Sequence, residues 1–116
     1  MEYNNDFKYD LKLGQIHEQW LGTLFTDSTI EVKRDYMADR TGNVFIEFES
    51  RGRPSGISTS MAEYWAFVLT DHRVVIVPTD VLKELAREQY RKNGFVKGGD
   101  RNTSRGVLIK IGDLVK

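Results

Sequence analysis

Apolar and polar residues recur along this chain with two different periods, which predict both helices and strands. Residues 11–25 place their apolar side chains at helical spacing and predict an amphipathic helix. Residues 28–35 alternate strictly between apolar and polar side chains, and residues 43–49 form a second alternating segment, which is typical of half-buried strands. Because the polar segment between them ends in the turn-like Thr41-Gly42-Asn43, we expect the two strands to form an antiparallel hairpin.

The second half of the chain predicts a similar mixture of elements. Ser60 and Glu63 have the spacing of a capping box, so a short helix is expected to run through Tyr64 and Trp65. The other expected elements are strands at 66–70 and 73–77, a helix from 79 or 80 to about 92, and a strand over 107–111. The order α, β, β, α, β, β, α, β predicts a small mixed sheet flanked by helices, in the α/β or α+β class.

Length and composition predict one globular domain. The chain has 116 residues, of which 40% are hydrophobic and 29% are charged. Its net charge is zero, but residues 87–116 hold eight Lys and Arg against three Asp and Glu, while the remainder is acidic. We therefore expect a core over about 11–92 and a basic tail over 93–116, which suits contact with a phosphate backbone.

Composition also excludes several classes of site and predicts a location. There are no cysteines, which excludes disulfides, thiolate zinc sites and cysteine nucleophiles. The apolar runs are far shorter than a membrane span, and the first residues are polar. We expect a cytoplasmic protein without membrane contact, acting in a cell or in the cytoplasm of an infected host.

The candidate chemistry lies on the first predicted strand. If the strand extends back to Asp27, then Asp27, Glu31 and Lys33 project from one face, because side chains on a strand alternate with a period of two. The predicted hairpin would bring Glu47 to the same face. Clustered carboxylates repel one another unless a divalent cation compensates, so we expect a Mg²⁺ or Mn²⁺ site with an ammonium beside it.

These residues resemble the PD-(D/E)xK nuclease family. Glu31-Val32-Lys33 matches the Glu-x-Lys half of the family motif, and Glu18 and Asp27 stand upstream of it. The predicted elements over about 11–77 resemble the family's restriction-endonuclease-like αβββαβ core, especially that of small phage-type, junction-resolving or restriction-like members. The resemblance implies that Glu31 and Asp27 bind the metal, Lys33 assists the attacking water, and Glu18 completes or supports the metal shell.

A second alignment to the family is equally open. It takes Glu31 and Glu47 as the metal-binding acids, with Glu47-Phe48-Glu49 in place of Glu-x-Lys and Lys33 contributed from the other strand. The two alignments share Glu31 and Lys33 and differ over Asp27, which lies only four residues before Glu31, closer than the family's usual spacing.

Two polar segments are candidates for contact with nucleic acid. The first is a Gly- and Pro-rich loop with two arginines, followed by hydroxyl side chains next to the predicted helix start, where an anion would bind. The second is the donor-rich tail. The residues expected to contact phosphates are Arg51, Arg53, Ser58, Thr59, Ser60, Arg101 and Arg105.

The sequence therefore predicts a divalent-metal-dependent endonuclease that hydrolyses duplex or branched DNA with water as the nucleophile. A homodimer is expected, because one small active site cuts one strand. Two alternatives are a catalytically inactive nucleic-acid-binding module of the same fold and a protein-interaction accessory factor.

Overall fold

The computed structural model describes the backbone of residues 2–116 and the side chains of residues 11–116. The chain is a mixed α+β protein, as predicted, with two sheets and four helices over these residues. The helices are α1 (Glu2–Asp27), α2 (Ala38–Thr41), α3 (Thr79–Asn93) and α4 (Ile111–Leu114). The strands are β1 (Ile30–Arg34), β2 (Asn43–Ser50), β3 (Arg53–Pro54), β4 (Tyr64–Thr70), β5 (Arg73–Pro78), β6 (Val96–Gly98) and β7 (Ser104–Lys110).

The strands divide into a three-stranded and a four-stranded sheet. The three-stranded sheet has the order β1-β4-β5, with β1 parallel to β4 and β4 antiparallel to β5. The four-stranded sheet is antiparallel and has the order β3-β2-β7-β6. Both sheets contribute buried side chains to one core, which α3 joins through Leu82; its members include Val44, Ile46, Trp65, Phe67, Val77, Val107 and Ile109.

The predicted hairpin of β1 with β2 is wrong, because these strands belong to different sheets. The segment between them forms the short helix α2 instead of a tight turn. The Asp35 carboxylate accepts hydrogen bonds from the backbone N–H groups of Met37 and Phe45, each at 3.0 Å. These bonds hold the end of β1 next to the starts of α2 and β2, whereas β1 itself pairs with β4.

The short helix predicted after Ser60 is also absent. Residues 60–63 are irregular, and β4 begins at Tyr64. The Ser60 hydroxyl accepts hydrogen bonds from the Ala62 N–H and from the indole N–H of Trp65. Trp65 is only 2% exposed. Its burial between β1 and β5, within a run of aromatic and β-branched residues, favours a strand over a helix.

The C-terminal segment belongs to the core, contrary to the predicted boundary at residue 92. Strand β7 lies between β2 and β6, and its Val107 and Ile109 are buried in the common core. The predicted helix near 79–92 and its stop at Gly94 are confirmed by α3. Of the helices within residues 2–116, none combines the length and the apolar composition that crossing a membrane requires.

Helix α1 is longer than the predicted segment 11–25. Its 26 residues correspond to a rod of about 39 Å at 1.5 Å per residue. The protein measures 62 × 29 × 27 Å, so the helix accounts for much of the longest dimension. Leu24 near its end is buried, and Trp20 packs edge-on against Tyr64 of β4. The other apolar side chains of residues 11–25 are largely exposed to solvent.

Gly56 is the glycine that the fold requires most clearly. It has a positive φ of 55°, and a Cβ atom there would overlap the backbone carbonyl of Glu47. We expect Gly56→Ala to lower the free energy of unfolding by roughly 2 kcal/mol or more, because overpacking and a left-handed backbone both cost energy. Urea denaturation measures the change.

Gly22→Ala is the matched control for this substitution. A Cβ at Gly22 would have no neighbour within 4 Å, and the residue lies inside α1. Alanine should therefore stabilise the protein by about 0.5–1 kcal/mol through helix propensity. Equal effects of the two substitutions would contradict the packing described for Gly56.

Candidate functional site

Glu31 and Lys33 project from the same face of β1, as their spacing predicted. Glu31 is paired with Trp65, and Lys33 with Phe67, in the parallel register of β1 and β4. Glu31 is partly buried and Lys33 is exposed. The Lys33 ammonium lies 5.8 Å from the centroid of the Trp65 ring, within the distance of a cation–π contact. This edge strand therefore carries a carboxylate and an ammonium side by side.

Glu47 occupies the other sheet and has a different partner. It lies on β2, where it is paired with Gly106 of β7. Its carboxylate accepts a hydrogen bond of 2.8 Å from the Ser55 hydroxyl. Strand pairing thus does not place Glu47 opposite Lys33. Instead, Glu47 holds the loop that follows β3 against β2.

Asp27 and Glu18 both belong to α1. Asp27 is the last residue of the helix, so the strand does not extend back to it, and the predicted common face with Glu31 is wrong. Glu18 is exposed on the helix surface. Within residues 11–116, no three or more Asp, Glu or His side chains lie close enough together to hold a metal ion. The predicted four-carboxylate set is therefore not assembled by these side chains.

The structure does bring together the two basic segments that were predicted separately. Across the four-stranded sheet, Arg53 is paired with Ser50, Ser50 with Ser104, and Ser104 with Gly98. The Arg51 N–H donates a hydrogen bond of 2.9 Å to the carbonyl of Thr103. Five exposed cations lie at this end of the sheet, and we call them the basic row: Arg51, Arg53, Lys97, Arg101 and Arg105. The strand register places Arg53 on the opposite face of the sheet from Lys97 and Arg105.

Local contacts position several members of the basic row. The Arg105 guanidinium lies 4.8 Å from the centroid of the Phe95 ring and pairs with the Glu49 carboxylate at 3.3 Å. Arg51 and Arg101 adopt positive φ angles of 52° and 56°, at tight turns on either side of the sheet end. Residues 49–54 and 96–105 contain five Lys and Arg against two Asp and Glu, so the surface is net positive.

The hydroxyls of Ser58, Thr59 and Ser60 are used within their own loop. Ser58 donates to the carbonyl of Phe48 at 2.8 Å, and Thr59 donates to the carbonyl of Gly56 at 3.5 Å. Ser60 accepts from the Trp65 indole, as described above. The helix start on which the predicted anion site depended is absent, and residues 56–58 form a single 3₁₀ turn.

Sequence reasoning missed a cationic stripe on α3. Lys83, Arg87 and Arg91 are spaced four residues apart, which places them along one face of the helix. All three line a groove with Phe48 and Tyr90. The four-residue spacing could have indicated this stripe from the sequence, but acidic residues lie next to these cations in the sequence of the same helix.

Comparison with protein-family models, with curated proteins and with solved structures finds no match for this chain.

If duplex DNA binds at the basic row, as the sequence predicts, the double substitution Arg53→Gln and Arg101→Gln should weaken that binding. The loss of two cations should make the salt dependence of binding shallower, because each phosphate contact contributes about −0.9 to the slope of log K against log salt concentration. Fluorescence anisotropy of a labelled duplex measures both the affinity and the slope.

Arg73→Gln provides the control, since Arg73 is exposed at the turn of the three-stranded sheet. Its loss removes one charge elsewhere on the surface and should leave the slope nearly unchanged. If Arg73→Gln changes the slope as much as the double substitution does, the DNA does not bind at the basic row.

Proposed function

We propose that this chain binds DNA through the basic row and cleaves it as a divalent-metal-dependent endonuclease. The observation that supports binding best is the convergence of five cations from loop 51–54 and segment 96–105 at one end of a sheet. The two segments are distant in sequence, so it is the fold that brings their positive charges together.

The dimensions of the basic row suit a phosphate backbone. It crosses four strands, which at about 4.8 Å between neighbours span about 14 Å. At 3.4 Å per nucleotide along one strand, this length corresponds to roughly four nucleotides. Arg side chains at such a surface donate two hydrogen bonds to a phosphate, which orients the backbone without reading its sequence.

Glu31 and Lys33 are the groups that we propose for cleavage. Mg²⁺ is often bound through only one or two carboxylates together with substrate phosphates, so Glu31 can contribute to a site that the DNA completes. When bound, the ion would polarise the scissile phosphate. Lys33 forms no salt bridge with the side chains of residues 11–116, which leaves its ammonium able to orient water and stabilise developing negative charge.

The remaining predicted acids, Asp27, Glu47 and Glu18, are not ligands in this proposal. In the structure these carboxylates lie on α1 and on β2, apart from the strand that carries Glu31. A protein of this activity would act in the cytoplasm, of a cell or of a phage-infected host, where its DNA substrate is present.

Cleavage of DNA should require Lys33 and Glu31 together with Mg²⁺ or Mn²⁺. We expect Lys33→Ala to reduce the rate of cutting by about 10²–10⁴, the usual contribution of a positioned acid–base group. Glu31→Gln should also reduce the rate, because it removes the proposed metal ligand. Lys110→Ala, which removes an exposed lysine from β7, is the control and should cut at the normal rate. Gel assays on duplex, single-stranded and branched DNA, with melting curves for each variant, measure the effect.

The same assays separate the proposed function from its two alternatives. Salt-sensitive DNA binding that needs no metal, survives Glu31→Gln and leads to no cutting would identify an inactive binding module. The absence of both binding and cutting, with capture of a protein instead, would identify an accessory factor. Mn²⁺ that raises the melting temperature of the native chain but not of Glu31→Gln would support a metal site.

We also propose a homodimer formed through α1. The helix leaves large apolar side chains exposed: Leu11, Leu21 and Phe25 lie on one face, and Ile16 and Trp20 on another. Exposed apolar patches of this kind mark interaction sites. A two-fold axis would pack the face of Leu11, Leu21 and Phe25 against the same face of the other copy, which makes the contact self-complementary.

Sedimentation or light scattering should therefore give twice the mass of the chain. Leu21 and Phe25 lie on the same face and are 43% and 62% exposed, so Leu21→Glu with Phe25→Glu should produce a folded monomer. Gln15→Glu, which adds a charge at an exposed polar position of the same helix, should remain dimeric. A native chain that is monomeric at all concentrations tested would refute the dimer.

A further inference from the structure

A groove of about 570 Å³ lies between α3 and the end of β2. Phe48 contributes to it from β2, Ile57 from the 3₁₀ turn, and Tyr90 from α3. Lys83, Arg87 and Arg91 complete its helical side. The volume falls within the range of about 300–1,000 Å³ that is usual for small-molecule sites.

The groove is lined by charge of one sign. It contains three cations, and no Asp or Glu is among its lining residues. Because Lys83, Arg87 and Arg91 follow each other at four-residue intervals, they form a continuous positive edge about two helical turns long. Such an edge favours an anionic ligand and disfavours a purely apolar one.

The acidic residues of α3 lie on a different stripe of the helix. Asp80, Glu84 and Glu88 line a separate, smaller depression, which Arg91 also borders. Lys92 pairs with Glu88 at 2.9 Å and lowers the pKa of that carboxyl. Arg87 pairs with Glu84 at 2.6 Å, but this is an exposed ion pair of the kind that contributes little to stability. A phosphate can therefore compete for the Arg87 guanidinium.

Two aromatic rings form the apolar part of the groove. Phe48 and Tyr90 pack edge-to-face, with centroids 5.6 Å apart and planes at 85°. Tyr90 is 49% exposed, so part of its side chain remains open to a ligand. Stacking of a nucleobase on an exposed aromatic ring is tolerant of base identity, because each base has a flat π surface.

We propose that this groove binds one nucleotide unit. Its base would lie against Tyr90 and Phe48, and its phosphate among the three cations of α3. An inorganic anion would leave the aromatic wall uncovered, and an uncharged aromatic ligand would leave the cations without a counter-charge. A nucleotide satisfies both halves of the groove.

The position of the groove connects it with the basic row. Phe48 directly precedes Glu49, which pairs with Arg105 of the row. The assignment deepens the proposed function: a DNA strand lying on the basic row would deliver an unpaired or terminal nucleotide to the groove. A free nucleotide has the same chemistry and is the second possible source of the ligand.

The test is calorimetric titration of the full chain with dAMP, deoxyadenosine, inorganic phosphate, O-phosphotyrosine and the oligonucleotide (dA)₈. We expect dAMP to bind at least about tenfold more tightly than deoxyadenosine or phosphate alone, because each of these lacks half of the interactions. If (dA)₈ binds more tightly than dAMP, the ligand is part of a strand. If dAMP binds more tightly, the ligand is a free nucleotide.

Variants locate the binding to the groove. Tyr90→Ala should weaken dAMP binding at least about fivefold, the lower end of the loss of one base stack, and Tyr90→Phe should restore it. Arg91→Gln should weaken dAMP binding about tenfold or more through the loss of a charged hydrogen bond. Lys92→Gln, the same change of charge at the next position and outside the groove, should have no effect.

Three results would overturn the assignment. These are no binding of dAMP at millimolar concentration, binding that both Tyr90→Ala and Arg91→Gln leave unchanged, and tighter binding of O-phosphotyrosine than of dAMP. Failure of the proposed function is a distinct result. If the proposed function fails, dAMP binds in the groove, but duplex DNA neither binds at the basic row nor is cut. If DNA is bound and cut but dAMP does not bind, only the groove assignment is refuted.

Discussion

The parallel pairing of β1 with β4 is the constraint on which the candidate site depends. It places Glu31 and Lys33 beside Trp65 and Phe67, on a strand whose other edge is unpaired within its sheet. The Asp35 carboxylate supports this arrangement, because it binds the N–H of Phe45 at the start of the second sheet. A carboxylate that accepts two backbone N–H groups is a strong local contact, worth more than a neutral hydrogen bond. Through Asp35 the strand that carries the candidate chemistry is fixed to the sheet that carries the cations.

The four-stranded sheet explains how a chain of zero net charge acquires a positively charged end. Strand β7 lies between β2 and β6, so loop 51–54 and segment 96–105 lie at the same end of the sheet although they are about 50 residues apart in sequence. Two glycines allow the strands to pack closely at Phe45: Gly98 and Gly106 both lie against the Phe45 ring, and a Cβ atom at either position would overlap the ring. The close packing of the sheet on Phe45 and the clustering of Arg51, Arg53 and Arg105 are thus consequences of the same strand order.

Local patterns predicted the elements well and their partners poorly. The alternation around Glu31 and Lys33 correctly indicated a strand with both side chains on one face, and Asn93-Gly94 correctly marked the end of α3. Strand pairing could not be predicted in this way, since the pairing of β1 with β4 accompanies the burial of Trp65, whose strand neighbours come from segments distant in sequence. The capping-box spacing at Ser60 failed for the same reason: its hydroxyl binds the indole of a buried tryptophan instead of a helix. The groove on α3 was missed because half of it comes from Phe48 in another element.

The central claim is that the fold gathers cations into a surface that binds a phosphate backbone, and the salt dependence of DNA binding by the native chain tests it most directly. The affinity for a labelled duplex would be measured by anisotropy over a range of salt concentrations. With three to five phosphates contacted, the slope of log K against log salt concentration should lie between about −3 and −5. A slope near zero, or no binding at low salt, would contradict the account.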